Sequence, residues 1–399
     1  MENTLTPTLT EKHTKQIVWT LLCLMPIIGM AIDVIAPSLP AISSGLSVSS
    51  MTAKNIIAIF LLGYALGNFF TGFLTDAKGR QKLIRINLLG FVIVSVIPII
   101  FQNINALLLC RLLQGFTIGA TSVLLRAILT DILPPEKLTS MGTLIGAMWG
   151  IGPVFGPVIG GYLQFYFGWT AGFYFLAIMG LIGFISTWFI VPETHFNRHP
   201  LELAIIKKNI AEVIHHRMFM AVTLLMGITY SLMIVFSTAG PFLIQKTLHY
   251  SPVFFGHVAL ILGIVFVVST FICRRLLKKF LMENLLLVSI HLFLAITILS
   301  VIAGFYFSEN IYLAVIASAL MFFACGSIYP MSMGKGLSFF RHISGTATAI
   351  MYLINILLTS LISFIVSLIT VHNNVTLMLM YFILMLCAAI VYWSVARNQ

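Results

Sequence analysis

Runs of roughly 20 apolar residues recur along the whole chain, separated by short polar breaks, and this spacing constrains the fold more than any single motif. A helix rises 1.5 Å per residue, so about 20 residues cross a hydrocarbon core of about 30 Å, whereas a membrane β-barrel would alternate in segments of roughly 10. The runs fall at 17–39, 54–74, 84–103, 105–129, 138–163, 169–191, 217–241, 254–273, 284–305, 311–332, 345–370 and 376–396. With 60% hydrophobic and 8% charged residues over 399 positions, the chain lacks the polar surface to coat a soluble globule of its size. The expectation is an all-α membrane protein of twelve transmembrane helices. The first run is too long, and too closely followed by others, to be a cleavable signal peptide.

The longest polar break, 192–216, divides the chain into a bundle over 17–191, a linker, and a second bundle over 217–396, with tails at 1–16 and 397–399. Within the linker, 201–215 carries apolar residues at helical intervals between lysines and glutamates, which predicts an amphipathic helix on the inner membrane face.

Orientation follows from the basic residues. Of the 22 lysines and arginines, an inside N terminus places all but four on the cytoplasmic side: Lys54 and Lys246 fall outside, and Arg111 and Arg126 lie within span 4. That asymmetry predicts a multi-pass protein with both termini in the cytoplasm. It also accounts for the formal charge of +11, which is spread over many short loops rather than gathered into a nucleic-acid-binding patch. No nucleic-acid partner is expected, and the chain is expected to work as a monomer among membrane lipids.

The five cysteines lie in or at the ends of spans without a CxxC pair, and read as packing residues. The histidines are scattered, so no metal site is expected. No GxxxxGK[ST] stretch occurs, which leaves an ion gradient as the energy source and calls for no bound cofactor. No nucleophile and base share a depth and a helix face, so an intramembrane enzyme is not expected.

Ten of the eleven acids fall in tails, loops or span ends; Asp33 alone is deep. An intramembrane carboxylate is costly enough that function is its default reading. Counting back from the end of span 1 puts Asp33 roughly 9 Å below the outer face, and Arg111 in span 4 falls at a similar depth. An ion pair between them, direct or through water, is therefore expected.

Three stretches carry a resemblance. "GFLTDAKGRQK" at 72–82 resembles the GxLxDxxGRxx loop of the major facilitator superfamily, and "RLLQG" at 111–115 is similar to the RxxQG of its fourth helix. "GPVFGPVIGGYL" at 152–163 resembles the GxxxGPxxGG fifth-helix signature of the drug:proton antiporters. The flanking stretches "IDVIAPSLPAIS", "RAILTDI" and "SGTATAI" look like the Bcr/CflA branch of the twelve-helix antiporters. Two departures stand out: Ala77 replaces a common arginine, and the 8–9 loop, "CRRLLKKFLMEN", keeps the positive charge without the Gly/Asp pattern.

The resemblance implies the major facilitator fold of two six-helix bundles, exchange of a substrate against protons with Asp33 and Arg111 as the coupling pair, and alternating access by rocking of the halves. Gly152, Gly156 and Gly160 recur every four residues, so they form a side-chain-free stripe for close helix packing, joined by Gly161 and bent by Pro153 and Pro157. In the 2–3 loop, Gly72 is expected to allow close approach and Gly79 the turn, next to Arg80, while Asp76 is expected to latch onto the start of span 11, with Ser344 as its N-cap. Tyr64, Asn68, Gln114, Trp149, Tyr230, Tyr329 and Asn355 are cavity candidates by type, since aromatic and amide groups suit flat amphiphiles. Arg126 is expected to pair with Asp131 or with headgroups. The function expected is export of drug-like or amphiphilic small molecules against protons; the alternative is a same-fold carrier of one physiological solute such as a siderophore, polyamine or sugar.

Overall fold

The computed structural model describes residues 10–195, 203–340 and 343–396. No β-strand occurs among them, and eleven of their helices are long and apolar enough to cross a membrane. The helices of the first half are α1 (Glu11–Asp33), α2 (Leu39–Gly45), α3 (Ser50–Lys78), α4 (Arg80–Ile100), α5 (Ile104–Ile132), α6 (Pro135–Phe167) and α7 (Ala171–Ile190). After a short α8 (Leu203–His215) come α9 (Arg217–Phe242), α10 (Pro252–Leu276), α11 (Met282–Tyr306), α12 (Ile311–Ser338), α13 (Ser344–Leu368) and α14 (Asn374–Ala396). The 33-residue α6 completes the twelve long crossings.

Side-chain caps fix several starts: Ser49 accepts from the Thr52 amide before α3, and Ser251 from the Phe254 amide before α10, where Pro252 occupies the first helical position. Gly79 (φ 84°) and Gly168 (φ 83°) make the sharp breaks after α3 and α6 in a conformation that strains any residue with a Cβ. The expected 2–3 loop therefore shrinks to one residue, because α3 runs through Lys78 and α4 begins at Arg80.

Span 1 departs from expectation most. α1 stops at Asp33, a 3-10 turn covers Ala36–Ser38, and α2 carries the apolar element on to Gly45. Pro37 and Pro40 lack the amide hydrogens that would continue the α-helical ladder through this segment.

Within the first half, α3 and α4 pack on α5, α1 on α6, and α4 on α7; within the second, α12, α13 and α14 pack on α9, α10 on α12, and α11 on α14. The halves meet chiefly along two pairs, α3 with α13 and α6 with α10. The apolar window of α9 is 83% buried and that of α1 67%, against 33% for α7 and 28% for α11. α1 and α9 thus run through the interior while α7 and α11 present their faces to lipid.

Candidate functional site

Asp33, the last residue of α1, is 7% exposed. Twelve residues separate it from the end of α2, on the order of 18 Å along a helix, so it lies nearer mid-membrane than the sequence count placed it. Its Oδ1 accepts a hydrogen bond of 3.1 Å from the hydroxyl of Ser237 on α9 of the opposite half. The carboxylate stands in a small side pocket of about 20 Å³ with Pro157, Phe236 and Phe322. Pro153, Tyr230 and Met233 border both this pocket and a larger cavity of about 310 Å³.

Of the two forms of ion pair expected between Asp33 and Arg111, direct or through water, the direct one is not made. Arg111, fully buried, donates through Nη1 to the Ala31 carbonyl and to Gln114 Oε1, both at 3.1 Å, and through Nε to the Ile56 carbonyl at 3.4 Å. Its guanidinium lies 4.0 Å from the centre of the Phe60 ring, and Nη2 has no protein partner. Depth explains why Arg111 reaches α1; azimuth explains why it misses Asp33. Successive helix residues turn by about 100°, so positions 31 and 33 face nearly opposite ways. Asp33 turns toward α6, where a Cβ added to Gly156 would lie 3.1 Å from its own Cβ.

The glycine stripe of α6 packs on α1. A Cβ on Gly152 would meet the Gly29 backbone at 2.5 Å, and one on Gly160 would run into the Val34 carbonyl. Gly161 serves the other flank, 2.5 Å from the Pro252 carbonyl of α10, and Gly256 answers it with the Pro157 carbonyl at 2.7 Å. α6 is thereby wedged between α1 of its own half and α10 of the other, with Pro153 and Pro157 beside Asp33. Gly72 contradicts its expected role, because nothing lies within 4 Å of a Cβ placed there.

Of the cavity candidates, Tyr64, Trp149, Tyr230 and Tyr329 line the larger cavity, together with Tyr352, Met233 and Phe266, which type alone did not single out. The amides do not line it. Gln114 is buried behind Arg111 and donates to Ser95 Oγ at 2.8 Å; Asn68 donates to Ser122 Oγ at 2.9 Å; Asn355 is enclosed with neither side-chain polar atom partnered. Arg126 is not paired with Asp131. Its guanidinium sits 4.9 Å from the Tyr352 ring centre and 5.9 Å from that of Trp149, and donates to Asn68 Oδ1 at 3.2 Å.

Asp131 is held instead by Arg80, Nε to Oδ2 at 3.1 Å, and by the Thr194 hydroxyl at 2.8 Å. Glu193 accepts from the backbone amides of Arg80 and Gln81 at 2.9 and 3.3 Å, capping α4 with a carboxylate. Arg80 thus ties α4 to α5 and to the segment after α7 within one half. The side chains of Asp76 and Ser344 lie outside the described residues, as does the latch expected between them.

Six side-chain hydrogen bonds among the described residues join the halves. Besides Ser237 to Asp33, Lys54 Nζ donates to the Ile369 carbonyl (2.7 Å), Ser367 to Asn55 (2.6 Å), Ser360 to the Ala58 carbonyl (2.7 Å) and Gln245 to the Pro37 carbonyl (2.9 Å), while Tyr162 contacts His257 (3.4 Å). These lie toward the end remote from the chain termini, and Lys54, placed on the outer side by the charge count, is 1% exposed.

A family model described as Major Facilitator Superfamily matches residues 21–357. The chain belongs to the Major Facilitator Superfamily. Its relatives include a bicyclomycin resistance protein homolog of Haemophilus influenzae, 28% identical over 286 residues covering 70% of this chain and 71% of the relative. The multidrug resistance protein MdtL of Shewanella oneidensis is 25% identical over 370 residues, 90% of this chain and 91% of the relative. Among solved structures, a bacterial homolog of the human lysosomal transporter Spinster, inward-facing and unoccupied, superposes with a TM-score of 0.76 at 14% identity, covering 97% of this chain and 98% of that one. A D-xylose-proton symporter gives a TM-score of 0.73 at 16% identity, covering 95% and 97%. At such identities the structures establish the fold: twelve transmembrane helices in two six-helix bundles. As a major facilitator the chain is an integral membrane transporter of small molecules, not an enzyme.

Proposed function

We propose that this major facilitator exports drug-like or amphiphilic small molecules in exchange for protons, from a bacterial inner membrane in which both termini face the cytoplasm. The observation that carries the reading is Asp33: a buried carboxylate at the break of α1, bonded to Ser237 of the opposite half and separated from an aromatic cavity only by Pro153, Tyr230 and Met233. The similarity to proteins named for bicyclomycin and multidrug resistance supports the direction and the substrate class.

The coupling follows from the donor and acceptor inventory. An ionised Asp33 accepts from the Ser237 hydroxyl; a protonated Asp33 carries a donor of its own and holds that hydroxyl less strongly. Proton arrival therefore changes a bond that joins the two halves, and alters the relative stability of the outward- and inward-facing states. Water reaching the pocket from one side or the other delivers the proton to Asp33 or carries it away, so occupancy follows which side wets the pocket. Arg111 acts by holding α1, α3 and α5 together through their carbonyls rather than as a pairing partner. Each proton driven inward contributes about 2.3 kcal/mol per 100 mV of membrane potential. The Asp76 carboxylate and the N terminus of α13 form the latch at the cytoplasmic side in this reading, and the carrier works as a single chain without a bound cofactor. A polyamine carrier is the weaker alternative, because no carboxylate lines the cavity.

The test is reconstitution in vesicles containing a pH-sensitive dye, with addition of candidate amphiphiles to the wild type and to Asp33→Asn. Substrate-evoked proton movement that disappears in the variant supports exchange at Asp33. Equal signals from both remove Asp33 from the mechanism.

A further inference from the structure

The charge inventory around the cavity is lopsided. Its lining contains four tyrosines, a tryptophan, aliphatic and sulfur-containing side chains, and no carboxylate. Asp33 stands in the side pocket beyond Tyr230, engaged by Ser237. The charge set against the lining itself is positive. Arg126, not itself among the lining residues, leans on two of its rings, Tyr352 and Trp149.

The partners of that guanidinium are all neutral. Nε donates to the Ser122 carbonyl at 3.2 Å, and Nη2 to Asn68 Oδ1 at 3.2 Å and to Ser122 Oγ at 3.5 Å. Nη1 takes no protein acceptor, yet it is not among the sealed, partnerless polar atoms of the described residues, so it opens onto accessible space. Asn68 in turn is fixed by its donation to Ser122, which leaves the guanidinium held through Nε and Nη2 with Nη1 alone free. An arginine held in this way, with aromatic faces beside it, keeps one charged nitrogen for a charge-assisted hydrogen bond to an acidic group such as a carboxylate or sulfonate.

We infer that Arg126 reads the charge of the transported molecule: the cavity takes flat amphiphiles that are anionic, with the acidic group on Arg126 Nη1 and the ring system among Trp149, Tyr352 and Tyr329. Permanently cationic amphiphiles are rejected by the same group, since no carboxylate in the lining compensates it. The inference rests on the transport reading above and narrows its substrate class.

The test uses three probes of one shape: 2-naphthoate, 2-naphthamide and 2-naphthylmethylammonium, binding to the purified protein in phosphatidylcholine discs by quenching of tryptophan fluorescence. For the wild type, naphthoate is expected to bind at least tenfold more tightly than the ammonium probe, with the amide between them. Arg126→Gln is expected to weaken naphthoate about tenfold while moving the amide less than twofold, and Arg126→Lys, which keeps the charge without the planar fork, to fall between. Equal binding of the three probes by the wild type, failure of naphthoate to bind it, or a uniform loss of all probes in Arg126→Gln would overturn the inference. Displacement of naphthoate by phosphatidylglycerol would assign the guanidinium to a lipid headgroup and overturn it as well; indifference to that lipid supports it. Binding is read without a proton gradient, so a protein that binds naphthoate selectively but moves no protons contradicts the exchange mechanism and leaves the charge preference standing.

Discussion

Arg111 and Arg126 lie on one helix, α5, and differ in every respect except charge. Arg111 is fully buried, bonds carbonyls of two neighbouring helices and covers Phe60; Arg126 is partly open, bonds one amide and its own helix, and leans on rings that line a cavity. The difference teaches that a buried charge declares its role through its partners. Where carbonyls hold it in place, it holds helices together; where a nitrogen stays free beside a cavity, it is available to a ligand.

The largest effect that would break this contrast belongs to Arg111. Arg111→Ala leaves the Ala31 and Ile56 carbonyls and Gln114 without their charged donor. A loss of roughly 3 kcal/mol is expected, a fall of about 3–4 °C in the melting temperature of the detergent-solubilised protein. A variant that melts with the wild type would deny Arg111 its structural role.

Next comes a pair of glycines. Gly160→Leu forces a side chain into the Val34 backbone and is expected to cost about 1–3 kcal/mol and to abolish transport, whereas Gly72→Ala meets open space and is expected to be neutral or to stabilise α3 by up to about 1 kcal/mol. Thermal unfolding and vesicle transport compare the two; similar behaviour would mean that close approach is not what the stripe is for.

Lys54 extends the rule to the seam between the halves. Lys54→Met removes the charged donor from the Ile369 carbonyl, and the population with that end open is expected to rise roughly tenfold, the change that about 1.4 kcal/mol produces. Spin-label distances between the start of α3 and the end of α13 report it, and an unchanged distribution would remove Lys54 from the seam. The smallest effect is expected at Arg126: Arg126→Gln should change stability by no more than about 1 kcal/mol in the same melting assay. A loss as large as that of Arg111→Ala would erase the distinction.

How much of this was legible in the sequence follows the same line between counting and direction. The crossings were legible because a bilayer demands about 20 apolar residues in each, and the Gly152–Gly156–Gly160 stripe because a four-residue interval marks one helix face. Depth was legible only where helices are unbroken: the interruption after Asp33 made the estimate too shallow, although Pro37 and Pro40 were the available signal. Direct contact between Asp33 and Arg111 is not something residue counting can decide, because it gives height and says nothing of which neighbour a side chain faces. The rings of Tyr64, Trp149, Tyr230 and Tyr329 reach the cavity, while Asn68 and Gln114 are spent on Ser122 and Ser95, partners that only the packed structure reveals. The role of Lys54 in the seam is not legible, because nothing local marks a lysine whose acceptor is 315 positions away.

The central claim is that Asp33 exchanges its proton when substrate binds. Difference infrared spectroscopy on the protein in lipid tests it most directly, by following the carboxylic acid carbonyl band as a neutral transported amphiphile, which adds no charge of its own to the cavity, is added to the wild type and to Asp33→Asn. The account predicts a protonated-carboxyl band that is lost on substrate addition in the wild type and has no counterpart in the variant. A band untouched by substrate, or an identical difference spectrum from Asp33→Asn, would contradict it.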